Sequence, residues 1–152
     1  MKRYGMGRAG LPIESRMAPA SGGLHAIQIV CHMTGSYDPP RVYLPGRHAF
    51  ALLPACEEAH GANNASVEAT VGRIVGCTFR LIADLEKLAA AYQHPSTLAW
   101  RDSGALAATI CFVSQWLGLK SNILGFNGDS YLPMIGYTAT RFMAVGGVQI
   151  SK

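Results

Sequence analysis

Residues 101–119 read RDSGALAATICFVSQWLGL, and the architecture follows from how this stretch is read. Leu106, Ile110, Val113 and Leu117 recur at i, i+4, i+7 and i+11, the spacing of one face of an α-helix. Ala107, Ala108, Cys111 and Phe112 make the flanks apolar as well. A helix that is apolar most of the way round must be buried on more than one side, so the stretch predicts a central helix. Asp102 or Ser103 is the expected N-cap, and Gly118 the expected left-handed residue after the last turn. The apolar run includes Ser114 and Gln115 and reaches at most the lower end of the ~17–25 residues a membrane-spanning helix needs. It reads as a buried helix of a cytoplasmic protein.

Outward from this helix, residues 73–83 (RIVGCTFRLIA) are β-branched and aromatic without proline, the best strand in the chain. Asp84 is the expected N-cap of a helix that carries Glu86 and Lys87 and runs to Tyr92, and 93–97 reads as a loop. Residues 24–33 (LHAIQIVCHM) predict a strand, and 34–40 a turn. A hairpin is expected over 41–44 and 48–53, around Pro45-Gly46. Residues 55–60 suggest a short helix, 61–66 a polar loop, and 67–71 either state. Residues 123–126 read as a short extended segment, and 129–135 as a brief helix. Residues 142–150 (FMAVGGVQI) read as a last strand with a bulge at Gly146-Gly147. Residues 1–15 read as an irregular arm on a single α+β domain spanning 1–152.

Composition narrows the function classes. Apolar residues make up 49% and charged residues 14%, sparse charge for a soluble monomer, which suggests apolar surface covered by a partner chain. The net charge of +4 is scattered rather than gathered into a basic stripe, which argues against nucleic acid and suits a small anionic cofactor. Cys31, Cys56, Cys77 and Cys111 share no C-x-x-C spacing and read as reduced thiols of a reducing compartment. No signal-peptide pattern opens the chain. The five histidines, His25, His32, His48, His60 and His94, lack metal-ligand spacing, so no metal site is expected and each reads as structural or surface.

Gly5-Met6-Gly7-Arg8-Ala9-Gly10 matches G-x-G-x-x-G by letter, but it lacks the strand before and the helix after that a dinucleotide site requires. Ser21-Gly22-Gly23 is a turn with little side-chain cover. It can bring bare backbone against a planar or anionic ligand, or serve as a plain turn.

Four segments, in order, resemble the nitroreductase superfamily, in the branch associated with peptide azoline oxidases (the SagB type). Arg16-x-x-Pro19-x-x-Gly22-x-Leu24 is similar to its R-x-x-P-S-x-G-x-L segment. Arg101-Asp102-Ser103-Gly104-Ala105-Leu106 with Leu117-Gly118-Leu119 is similar to its R-D-A-G-A-L helix ending in L-G-L. Ile123-Leu124-Gly125-Phe126 resembles the P-L-G-G-F loop, and Gly128-Asp129 through Ile135-Gly136 the short helix after it.

The resemblance implies a nitroreductase-like α+β fold, with a mixed central sheet flanked by helices. It implies an intertwined homodimer, FMN at the dimer interface, and hydride transfer through flavin N5. The electron donor would be NAD(P)H, or the substrate itself would be dehydrogenated, a small molecule or one derived from a peptide. Pro19, Ala20, Ser21, Gly22 and Gly23 would lie against the flavin, with Leu124 and Gly125 on its other side. Arg16 would bind the ribityl chain or phosphate, Lys152 would be a further phosphate ligand, and Tyr92 a candidate acid/base group. The chain departs from the pattern in having no N-terminal phosphate-binding helices, where Arg3 or Arg8 would substitute. It also has Ala20 for a flavin-contacting serine, Ala26 for a proline, and Ala91 where the azoline oxidases place a lysine before the tyrosine. These departures keep an alternative open: a non-catalytic, degenerate dimer acting as a scaffold or partner subunit.

Overall fold

A computed structural model describes residues 2–7, 9–34, 38–54, 57–72, 76–125 and 128–152. Cys56, Phe126, Arg8, the Gly35-Ser36 turn and the first three residues of the strand expected from Arg73 lie outside these. Nine-tenths of the chain is thereby in view, and it is organised around one sheet. The strands are β1 Lys2–Met6, β2 Pro12–Ser15, β3 Ile27–Met33, β4 Arg41–Leu44, β5 Ala49–Leu52, β6 Cys77–Asp84, β7 Lys120–Leu124 and β8 Phe142–Ser151. The helices are α1 Glu57–Val71, α2 Leu85–Ala89 and α3 Pro95–Trp116. Short 3-10 turns occupy Ser21–Gly23, Asp129–Tyr131 and Pro133–Ile135.

β3 to β8 form a six-stranded sheet in the order β5-β4-β3-β6-β8-β7. β3 and β6 pair in full register, from Ile27 opposite Ala83 to Met33 opposite Cys77. Side chains alternate between the two faces of a strand, so β6 sends Leu81 and Ala83 to one core and Ile82 to the other. The first core lies under α2 and α3, with Leu88, Ala99, Ala107, Val145 and Val148. The second lies under α1 and the 3-10 turns, with Val30, Ala59, Tyr131, Leu132 and Ile135. The expected bulge in β8 is present: the β6 register slips between Arg80 and Ile82, where Gly146 adopts φ 104°. The extra residue resets the alternation, so Val145 and Val148 face the same core.

Several expectations are corrected. The sheet is not mixed: all five pairings are antiparallel, because hairpins and returning helices bring each strand back beside a neighbour of opposite direction. The arm is not irregular, since β1 and β2 pair as a hairpin across the glycine-rich turn. Residues 57–71 are one helix rather than a helix and a loop. Only Ala59, Asn63 and Val67 are buried, a stripe one residue wide that gives almost no apolar period to read. The helix after Asp84 stops at Ala89, although Asp84 does cap it by accepting from the Lys87 N–H at 3.2 Å.

The long helix begins eight residues before Ser103, at Pro95, whose missing N–H suits a first turn. Asp102 and Ser103 are therefore interior residues of α3 and not its caps. At the other end Gly118 is left-handed (φ 73°). Its N–H reaches the Gln115 carbonyl at 3.0 Å and the Leu119 N–H the Ser114 carbonyl at 2.8 Å, a Schellman closure. Within this single chain α3 is not buried all round. Phe112 is 73% and Trp116 84% exposed, and Val113 and Leu117 are open as well.

Candidate functional site

A cleft of about 1040 Å³ lies between the sheet face of β3 and β6, the C-terminal half of α3, the 16–20 segment and the β4–β5 turn. That is at the upper end of the volumes of small-molecule sites. Its floor is apolar, with Ala26, Ile27, Ile29 and Phe79, and α3 adds Leu106, Ile110, Val113 and Leu117. The charged groups Arg16, Asp84, Lys87 and Asp102 also line it.

One contact builds the arm-side wall. Asp102 is buried in α3, and both its carboxylate oxygens accept from the Ser21 N–H at 3.0 Å. The Ser21 hydroxyl donates to Oδ1 at 2.8 Å. A helix-interior carboxylate thus caps the Ser21–Gly23 turn and joins segments 81 residues apart. Gly22 (φ 57°) presents its Cα to the Tyr92 hydroxyl, which a Cβ would overlap. At Gly23 (φ 65°) a Cβ would meet the Glu14 carbonyl at 3.0 Å. The glycines are required by this packing of the turn onto β2 and Tyr92.

One cation of the cleft is held by an acid. Arg16 places Nε at 3.1 Å and Nη2 at 2.5 Å from Oε2 of the buried Glu14. Burial, and secondly the Arg16 charge, push the Lys87 ammonium below its ordinary value. Burial likewise lowers His25, whose Nε2–H donates to the Glu14 carbonyl at 2.9 Å. Asp84 accepts Arg141 through two bonds, at 3.2 and 2.7 Å. The Tyr137 hydroxyl donates to Gln28 at 2.7 Å, and burial raises its pKa.

Of the residues expected at the site, Arg16, Pro19 and Ala20 line the cleft, and Ser21, Gly22 and Gly23 form the turn behind it. Lys152 is exposed, two residues beyond the cleft-lining Ile150. Leu124 is buried and belongs to a smaller groove beside Trp100, Ile123 and Gly146. Neither cavity includes Gly125 or Tyr92. Lys87, His25, His48 and Tyr43 line the cleft without having been singled out. The two histidines carry a signal only coordinates show: they are the non-glycine residues with positive φ among those described, at 49° and 48°.

The opposite sheet face holds a buried polar cluster. Arg80 Nε donates to Asn63 at 2.9 Å and its guanidinium lies 4.3 Å over the Tyr131 ring. Asn63 and Gln149 meet at Thr78, and Tyr131 bonds His32 Nε2. Burial, then the Arg80 charge, hold His32 down to about 3.

No family model and no curated protein matches the chain. Solved structures do. The E. coli microcin synthetase McbBCD complex, solved with truncated pro-MccB17 bound, matches at TM-score 0.76 and 15% identity, over 91% of this chain and 56% of that one. A protein described as a nitroreductase from Anabaena variabilis matches at 0.79 and 14%, over 98% and 31%. One from Desulfovibrio desulfuricans, in complex with FMN, matches at 0.59 and 12%, over 89% and 66%. The chain thus spans little more than half of the first of these structures and about a third of the second. At such identities the likeness speaks for architecture, and it agrees with the sheet order and helix placement: this chain has the nitroreductase-like fold.

Proposed function

We propose that the chain is an FMN-binding oxidoreductase domain that works as a homodimer. The observation that carries this is the Ser21–Asp102 junction. It holds the 16–20 segment as a wall over the apolar floor of a cleft of about 1040 Å³, with Lys87 beside it for a phosphate. An apolar floor with the Lys87 cation at its edge suits an anionic planar cofactor. Bound FMN would supply two-electron hydride chemistry. The chain's own residues would bind, orient and keep water away. Among the described residues no helix is long and apolar enough to cross a membrane. A peptide-derived substrate is favoured by the match to a synthetase solved with a peptide precursor bound. NAD(P)H or that substrate would be the electron source.

Titrating the protein with FMN and following flavin fluorescence tests this reading. Saturable quenching is expected, and Lys87→Met should weaken it roughly tenfold, the loss of about one charge-assisted contact. Absence of quenching by wild type would favour the second reading, a partner subunit without flavin. Arg16, neutralised by Glu14, is the observation on that side.

The homodimer explains the open face of α3. Phe112, Val113, Trp116 and Leu117 form an apolar strip on a chain that already carries few charges. Light scattering should report twice the monomer mass for wild type. Phe112→Glu with Trp116→Glu should shift it to the monomer, since two buried carboxylates would oppose association. An unshifted mass would place the interface elsewhere.

A further inference from the structure

We propose that His48, held by Tyr43, is the proton donor to an organic acceptor bound in the main cleft. This rests on the flavin oxidoreductase reading above. A hydride delivered to an acceptor must be matched by a proton at the atom that gathers negative charge. The cleft holds several candidate donors, and their hydrogen bonds sort them. The Tyr137 hydroxyl is given to Gln28, and the His25 Nε2–H to a backbone carbonyl. Asp102 accepts from Ser21, Asp84 from Arg141, and Arg16 is bound to Glu14. Lys87 stands with Arg16 at the arm side, suited to an anion. Tyr92 is not among the residues lining this cleft, and its hydroxyl packs against Gly22.

His48 differs. It sits on the β4–β5 turn, lines the cleft and is exposed to water, so it can be recharged after giving up a proton. Its Nδ1 lies 2.8 Å from the Tyr43 hydroxyl, and the two rings meet edge to face at 5.9 Å. Tyr43 is fixed in turn by Phe50, with ring centroids 5.4 Å apart. The backbone at His48 is left-handed, a conformation uncommon outside glycine. With Nδ1 occupied by Tyr43, Nε2 is the nitrogen left to carry the transferable proton.

The acceptor is an oxidised carbonyl compound of the quinone type. It takes two electrons and one hydrogen as hydride, which bound reduced FMN would supply. The Nε2–H bond of the His48 imidazolium breaks, an O–H bond forms on the acceptor, and the neutral imidazole regains a proton from water.

FMN-loaded protein reduced with dithionite is mixed with menadione, and the return of flavin absorbance is timed at neutral pH. His48→Ala should slow reoxidation roughly 100-fold, the scale of a general acid, with FMN affinity unchanged and with added imidazole restoring much of the rate. Tyr43→Phe keeps the ring packing and should slow it roughly threefold to tenfold, the worth of one hydrogen bond. Independently of turnover, menadione added to oxidised wild type should move the NMR signals of the His48 ring and leave those of His94 in place. Reoxidation of His48→Ala at the wild-type rate, or unmoved His48 signals, overturns the proposal while the flavin reading stands. Failure of wild type to bind FMN overturns both.

Discussion

Replacing Asp102 with alanine is expected to destabilise the chain by about 3 kcal/mol and to remove FMN quenching. The buried carboxylate accepts the Ser21 N–H on both oxygens and the Ser21 hydroxyl on one. Hydrogen bonds to a charged group contribute about 1.5–3 kcal/mol each, and an orphaned buried donor costs a similar amount. Part of this is offset because alanine also relieves the cost of burying the carboxylate. Ser21→Ala removes only the hydroxyl bond and should cost about 1 kcal/mol. Asp102→Asn keeps the shape but turns one acceptor into a donor facing the Ser21 N–H, so it should fall between the two. Urea unfolding and flavin fluorescence measure both effects. If Asp102→Ala stays within about 1 kcal/mol of wild type, the junction does not hold the turn.

Acidification from pH 7 to pH 5 is expected to cost about 2 kcal/mol through His32 alone. The folded imidazole titrates near 3, held down by burial and by Arg80, against 6.5 for the ordinary group. Between those values the unfolded chain binds the extra proton and the folded chain does not. Stability is therefore full above pH 6.5 and falls as pH drops, by about 1.4 kcal/mol per unit once well below 6.5. His25 is shifted in the same direction and adds to the wild-type slope. The difference between wild type and His32→Asn isolates the buried residue. Urea midpoints at several pH values for both proteins give that difference, and parallel slopes would mean that His32 charges without resistance.

Ser21 and Asp102 show where sequence reading succeeds and fails. The turn at Ser21–Gly23 and the segment around Asp102 stand out by composition and by resemblance, and they do meet. Asp102, however, holds the turn from inside α3 instead of starting the helix. A helix-start reading of Asp102 is natural because an acid before an apolar run is what a cap looks like. The real start, Pro95, is hidden behind a loop-like His94-Pro95-Ser96. Tyr92 and Leu124 fall outside the cleft because chain order fixes which element a residue sits on and not which cavity its side chain borders. His48 and Tyr43 give no signal in sequence, since a turn histidine five residues after a strand tyrosine is common composition. The hairpin register and a left-handed φ bring them within 2.8 Å.

Local and periodic features were readable from the chain: β3 and β6 by their apolar, β-branched runs, the β4–β5 hairpin, the Gly118 closure, the bulge at Gly146 and the apolar character of α3. Each depends on interactions within a few residues or on a repeat that faces a core. The narrow-striped helix α1, the β1–β2 pairing and the all-antiparallel order were not readable, because they depend on which surfaces dock after the elements form. The same holds for the site. Sequence supplies an arginine, a glycine turn and an aspartate. Their assembly into one cleft wall needs a hydrogen bond spanning 81 residues, and a cation pairs with an acid or faces a ligand according to packing that no spacing encodes.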